Sequence, residues 1–350
     1  MRDPAFWWRP PGLSSALLAP IAAVYGGIAG RRMARSGLRA AVPVVCIGNL
    51  TLGGTGKTPT AIAVAKMFRL AGLKPVCLTR GFGGRAEGPV TVEAGARAED
   101  VGDEPLLLAR VAPTVVSRDR VAGAEAAIAI GADVIVMDDG LQNPALEKTV
   151  SLVVLDGRRG IGNGRVFPAG PLRAPLAGQL EKVDGVLVIG ATPEGTEATR
   201  ALLDSVRRAD KPVFFGALVP EAEAVAALRG KRLLAYAGIG DPEKFFATLR
   251  GQKLDVVRTK NFPDHHRFSP ADAACLTDIA AAEGLVLVTT EKDVCRMQGD
   301  PALAGLATTS ATLPVTLVLD EEAGADPGLD RWLGARTGLF VEAKASGAPL

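Results

Sequence analysis

Residues 42–47 form a β-branched apolar run. It breaks into Gly48-Asn49-Leu50-Thr51-Leu52-Gly53-Gly54-Thr55-Gly56-Lys57-Thr58, and a helical pattern over 58–71 follows at once. A strand, a glycine-rich turn and a helix in that order make a phosphate-binding loop, and this constrains the fold more than any other feature of the chain. In such a loop Gly53, Gly54, Thr55 and Gly56 turn backbone N–H groups toward phosphate oxygens. Lys57 reaches the β and γ oxygens of ATP, and the Thr58 hydroxyl holds Mg²⁺ at the positive end of the helix. The strict motif wants glycine five positions before Gly56, where this chain has Thr51, so only the second half matches. A second acidic element supports the reading. The apolar run 134–137 ends in Asp138-Asp139-Gly140, and acids at the carboxyl end of a strand reach Mg²⁺ as a Walker B acid does.

Further strands are expected at 76–79, 114–117, 152–155 and 186–189, with a helix at 120–130 between them. Alternation of this kind builds a mostly parallel sheet with helices on both faces. A Thr/Glu/Gly-rich turn and a short helix occupy roughly 193–220, and a second series follows at 233–237, 254–258 and 285–289. The expected organisation is therefore an N-terminal region over 1–40, a phosphate-loop lobe over 41–210 and a smaller α/β lobe over 211–350. At 350 residues the chain is long enough for each lobe to bury its own core.

Lys+Arg 40 against Asp+Glu 38 is too balanced for nucleic acid to be the main partner. The four cysteines include no CxxC pair, and the only histidines are His265 and His266. A zinc cluster is thus not expected, and any catalytic histidine is one of these two. The first forty residues are locally cationic: Arg2, Arg9, Arg31, Arg32, Arg35 and Arg39 face a single acid, Asp3. Between them Leu13, Leu17, Ile21, Val24 and Ile28 recur on one helical face, with Trp7, Trp8 and Tyr25 as interface-seeking aromatics. The run is interrupted by Pro20 and glycines and reads as shorter than the ~20 apolar residues of a membrane span. An apolar stripe flanked by arginines serves either packing on the protein's own core or docking on a bilayer.

Phosphate loops serve kinases, switches and pumps alike, so the reaction must come from other residues. A kinase needs an acceptor hydroxyl, a base and cations around the moving phosphoryl group. Gly102-Asp103-Glu104-Pro105 offers two carboxylates before a helix, and Phe262-Pro263-Asp264-His265-His266 offers the imidazoles. Arg80, Arg85, Arg118 and Arg120 follow two separate strands. Read from spacing alone, Asp103 serves equally as a helix cap and His265 as a loop residue. A membrane-attached regulatory ATPase and a kinase for another sugar or lipid hydroxyl are the competing functions. Dimerising ATPases of the first kind usually carry lysine where this chain has Leu52.

Taken in order, the motifs resemble those of the tetraacyldisaccharide 4'-kinases, the lipid A 4'-kinases of Gram-negative bacteria. They run from Gly48-Asn49 to Thr58-Pro59, then Thr79-Arg80-Gly81-Phe82-Gly83, Gly102-Asp103-Glu104-Pro105, Ser117-Arg118-Asp119-Arg120 and Asp138-Asp139-Gly140-Leu141-Gln142. Gly162-Asn163-Gly164, Pro168-Ala169-Gly170-Pro171-Leu172-Arg173, Asp264-His265 and Thr289-Thr290-Glu291-Lys292-Asp293 complete them. The resemblance implies transfer of the γ-phosphate of ATP to the 4'-hydroxyl of lipid A disaccharide 1-phosphate, giving lipid IVA. It also implies peripheral attachment to the cytoplasmic face of the inner membrane through the N-terminal helix, with no obligate protein partner. Under it Lys57 handles phosphate, Thr58, Asp138 and Asp139 lie by the metal, and Asp103 is the base with His265 as partner. Arg80, Arg120 and Arg173 are the substrate or phosphate contacts. Two positions depart from the family pattern. Phe82 stands where tyrosine is common and lacks its hydroxyl, and Ala174 replaces a glutamate.

Overall fold

The computed structural model describes residues 3–190 and 197–339. Thirteen strands are present among them: β1 Val44–Gly48, β2 Pro75–Thr79, β3 Val90–Thr91, β4 Thr114–Val116, β5 Val134–Asp138, β6 Val150–Asp156, β7 Gly185–Ile189, β8 Val213–Pro220, β9 Arg232–Ala237, β10 Asp255–Asn261, β11 Val286–Thr289, β12 Ala311–Thr312 and β13 Val315–Asp320. Nine of them form one sheet in the order β13-β8-β7-β6-β1-β5-β2-β4-β3, and four form a second in the order β10-β9-β11-β12. The interior strands of the large sheet are parallel. Only its two edges, β3 against β4 and β13 against β8, are antiparallel. Central strands β1, β2, β5, β6 and β7 are buried along their whole length, which is why their sequences read as continuous apolar runs without alternation.

Helix α1 spans Leu13–Met33 and α2 spans Lys57–Leu70. Ala61, Val64, Ala65 and Phe68 of α2 recur at helical spacing and are fully buried against the sheet, each large one contributing roughly 2 kcal/mol by area. Pro59 is tolerated because it falls in the first turn, where the N–H it lacks has no intrahelical partner.

The expected boundary at 211 is displaced. β8 begins at Val213 yet hydrogen-bonds in parallel to β7, and after the small sheet the chain returns as β13 to pair with β8. The smaller unit is therefore an insertion over about 221–314, whose entry and exit touch where Glu221 N donates to Pro314 O at 3.0 Å. β8 and β13 are absent from the expected strands because their pairing joins segments about a hundred residues apart.

α1 also differs from expectation. It runs straight through Pro20 for 21 residues, with mean hydropathy 1.5, and is long and apolar enough to cross a membrane by length and composition. Its stripe residues point outward: Leu13, Leu17, Ile21, Val24 and Ile28 are 60–78% exposed, so packing on the core is not their role in this structure. The opposite face, with Ser15, Ala22, Gly26 and Met33, is the buried one, and Gly26 sits over Val166 and Pro175. Trp7 is not an interface-seeking residue here. It is buried, donates from its indole to Pro168 O at 3.0 Å and packs edge-on against Phe167. Trp8 lies under the Arg159 guanidinium at 5.0 Å, and Tyr25 alone of the three aromatics is exposed.

Candidate active site in the cleft between the sheets

Parallel strands end on one edge, so the segments after β1, β2, β4 and β5 meet there, and ligands of open α/β sheets bind at that edge. The loop after β1 turns into α2 at Gly56, whose φ of 97° lies in the left-handed region. A Cβ at Gly56 would stand 2.7 Å from Ile189 Cδ1, so both conformation and space demand glycine. The Thr51 departure has a local explanation. Thr51 is buried, and its carbonyl accepts from Asn49 Nδ2 at 2.7 Å and from Arg173 Nε at 3.0 Å, so side chains hold the start of the loop where the strict motif uses glycine.

At the end of β5, Thr58 Oγ1 donates to Asp138 Oδ2 at 3.0 Å, while the buried Asp138 Oδ1 has no partner. Burial pushes Asp138 up to about 6 despite the pull of Lys57. Asp139 adopts φ 57°, an uncommon conformation that aspartate tolerates. Its Oδ1 accepts from Arg173 Nη1 at 2.8 Å and lies 3.9 Å from Lys57 Nζ. Burial opposes ionisation of Asp139, but Lys57 and Arg173 outweigh it and hold the carboxyl below its usual range; burial lowers Lys57 in turn. A set of hydroxyl and carboxylate oxygens with one left unpaired suits a hard divalent cation such as Mg²⁺.

The second cluster forms where one short helix, α3 Ala98–Val101, ends and another, α4 Asp103–Ala109, begins. Gly102 between them has φ 93°, and a Cβ there would meet Phe82 O at 2.7 Å, so the Arg80–Gly83 turn and the Asp103 turn are packed backbone to backbone. Asp103 is 3% exposed. His265, from the small unit and itself at φ 54°, places Nδ1 3.6 Å from Asp103 Oδ2, with the Phe82 ring 4.9 Å from the imidazole. The same Oδ2 accepts from Arg296 Nε at 2.9 Å and from its Nη2. Burial raises the Asp103 pKa, but the adjacent His265 and Glu104 and the charges of Arg296 and Lys292 more than reverse it, leaving the carboxyl far below the usual range. The neighbouring Asp103 carboxylate raises His265 above its ordinary 6.5. Lys292 Nζ pairs with Glu104 Oε1 at 2.8 Å, while burial raises Glu104.

The structure thus brings Lys57, Thr58, Asp138, Asp139 and Arg173 together, and separately Asp103 and His265. Arg120 is buried and turned toward its own loop, donating to Ser117 O, with Nε unpartnered. Arg80 is exposed just past β2, while Arg118 and Arg85 pair with Glu87 and Glu99. Ala174 is buried, its carbonyl taken by Gln179 Nε2 at 2.8 Å. Sequence reasoning missed Arg296, which touches Asp103 across 193 positions; nothing local marks it except its place on the helix that the Thr289–Asp293 motif opens.

The sequence profile of a family described as Tetraacyldisaccharide-1-P 4'-kinase matches residues 14–334. Among relatives named Tetraacyldisaccharide 4'-kinase, that of Nitrobacter winogradskyi is 51% identical over 92% of this chain and 95% of its own length. That of Methylobacterium sp. strain 4-46 is 54% identical over 93% and 95%. A crystal structure of LpxK from Aquifex aeolicus in complex with ATP superposes with a TM-score of 0.69 at 23% identity, covering 93% of this chain and all of that one, which supports the fold. With a profile match over most of its length and relatives at half identity across it, this chain belongs to the tetraacyldisaccharide 4'-kinase family.

Proposed function

We propose that the chain transfers the γ-phosphate of ATP to the 4'-hydroxyl of tetraacyldisaccharide 1-phosphate, with the phosphate loop and the Asp103–His265 pair as the two halves of the site. Family membership supports the reaction. The observation that supports the residue roles is the buried Asp103 carrying His265 on one oxygen, close enough to the loop for Glu104 to bear on Asp138. Lys57 and the loop amides bind the phosphates. Asp103 accepts the hydrogen bond of the acceptor hydroxyl and, with His265, takes its proton as the bond to phosphorus forms. Thr58, Asp138 and Asp139 would hold Mg²⁺, which neutralises charge on the phosphate oxygens when bound. Arg80, Arg120 and Arg173 remain proposed contacts to substrate or phosphate, and Phe82 orients the imidazole by its ring alone.

The test is transfer from γ-labelled ATP, with Mg²⁺ and detergent, to tetraacyldisaccharide 1-phosphate, beside a control without lipid. Label in the lipid only when acceptor is present is the expected result. Acceptor-independent hydrolysis by folded, ATP-bound protein would instead favour a regulatory ATPase.

We also propose that α1 docks on the cytoplasmic face of the inner membrane without crossing it. Its exposed apolar stripe meets the lipid, while its other face stays on Val166 and Pro175, a contact that a lipid-surrounded span would have to give up. Arg9, Arg31, Arg32, Arg35 and Arg39 are exposed at its ends, where anionic headgroups attract them. Replacing Leu17 and Ile21 by serine is expected to leave the melting temperature within about 2 °C, since exposed positions contribute little to folding. The same change should lower sedimentation with anionic vesicles by roughly tenfold or more, from the lost apolar burial. Unchanged sedimentation removes the docking role.

A further inference from the structure

The Thr289-Thr290-Glu291-Lys292-Asp293 motif has a role that neither phosphate binding nor the Asp103–His265 pair accounts for. It ends β11 and opens the helix Glu291–Met297 of the small unit, and that helix packs against α4 of the large sheet. Asp293 is wholly buried. Its Oδ2 accepts from Thr289 Oγ1 at 3.2 Å and Thr290 Oγ1 at 2.6 Å, and its Oδ1 from Gly238 N at 3.1 Å and Arg296 Nη1 at 2.9 Å. Arg296 also donates from Nη1 to Gly238 O at 2.6 Å. Its guanidinium is therefore fixed on one edge by the small unit, and its remaining edge, Nε and Nη2, closes on Asp103 Oδ2. The planar fork of arginine makes this a directional grip that a point charge cannot copy. One turn earlier Lys292 takes Glu104. Two cations from one helix of the small unit thus hold two successive carboxylates of the large one.

We propose that Arg296 is the positioning residue of the base: it turns Asp103 so that Oδ2 is consumed by the small unit and Oδ1 is presented to the acceptor hydroxyl, with Lys292 fixing the neighbouring Glu104. The contacts that Arg296 and His265 make with Asp103 all fall on Oδ2. The base is then complete only when the small unit is seated on the large one. This rests on the reading of Asp103 as base. The charged groups around Asp103 are Glu104 on its own helix, His265 on the loop after β10, and Lys292 and Arg296 on the helix after β11.

The experiment is a double-mutant cycle in the lipid transfer assay with Arg296→Gln, Asp103→Asn and the pair, each variant first checked for ATP binding. Arg296→Gln alone is expected to lower kcat by about 100-fold with KM for ATP within about twofold, as misplacement of a reacting group does. In the Asp103→Asn background the same change should cost less than about threefold, because residues acting as one unit are not additive. Arg296→Lys, which keeps charge but not the fork, should lose about tenfold, and it carries the test if the glutamine variant does not fold. A second readout is the acid limb of the kcat profile, which should move to higher pH in Arg296→Gln, since removing a cation raises the pKa values of both Asp103 and His265. Equal losses in both backgrounds, or an unmoved acid limb, would overturn the proposal and leave Arg296 a structural tie. Full turnover by Asp103→Asn would instead sink the base reading itself, whatever Arg296 does.

Discussion

Asp103→Ala is expected to leave ATP affinity within about twofold while phosphoryl transfer to the lipid falls by roughly 10²–10⁴, the span that general-base groups contribute. That loss corresponds to ~3–5 kcal/mol of barrier. ATP binding should survive because the groups that cradle phosphate, Lys57 and the loop around Gly56, belong to a separate cluster that contains no contact to Asp103 among the described residues. The pH dependence carries the same signature. His265 must be neutral to share the incoming proton, and its pKa is raised above 6.5 by Asp103. Wild-type kcat should therefore rise with pH through a midpoint above 6.5. In Asp103→Ala the group that raises His265 is gone, so the rise of the residual activity should move to lower pH. Normal turnover by Asp103→Ala removes the proposed base.

The second large effect is expected at Lys57. With alanine there, transfer should fall by at least about 10², as with other lost electrostatic contacts to a developing charge, and here ATP binding should weaken as well. Lys57 is nearly enclosed and its ammonium is destabilised by burial, with Asp139 as an ion-pair partner at 3.9 Å. A half-desolvated cation of that kind gains most from a phosphate oxygen placed beside it. Isothermal titration with ATP and the transfer assay together read both losses. A variant that binds ATP as tightly as the parent but transfers slowly would move Lys57 from binding to the transition state alone.

How much of this was legible beforehand depends on how far apart the cooperating residues lie. The glycine-rich turn, α2 and the end of β5 at Asp138 are encoded within short stretches whose periodicity and glycine positions fix the local backbone, and these elements form with ends shifted by a residue. The strands at 76–79, 114–117, 152–155 and 186–189 were visible for the same reason, each being buried on both faces. The outward face of α1 was not decided by pattern, because an apolar stripe is identical whether it meets protein or lipid; only the opposite face on Val166 and Pro175 distinguishes them. β8 and β13 escaped because their pairing joins segments about a hundred residues apart, with a complete sheet between them. Arg296 escaped for the same physical reason at the scale of a side chain. Its partner is set by how one helix sits on another, and no local propensity records that. Trp7, read as an interface residue from composition, is held inside by a hydrogen bond to a segment 161 positions away.

The inserted unit hangs from the large sheet by two neighbouring strands, with Val315 paired to Pro220 and Glu221 bonded to Pro314 where they part. Two chains side by side make a stiff strap rather than a swivel. They resist sliding along the strand direction, because sliding would break the ladder one register at a time, and they bend most easily across the ladder where it ends. The chain enters and leaves the inserted unit at one place, so a single two-stranded junction at residues 220–221 and 314–315 sets where that unit sits. His265, Lys292 and Arg296 all lie beyond that junction, so their contacts with Asp103 and Glu104 hang on the same short length of paired strand.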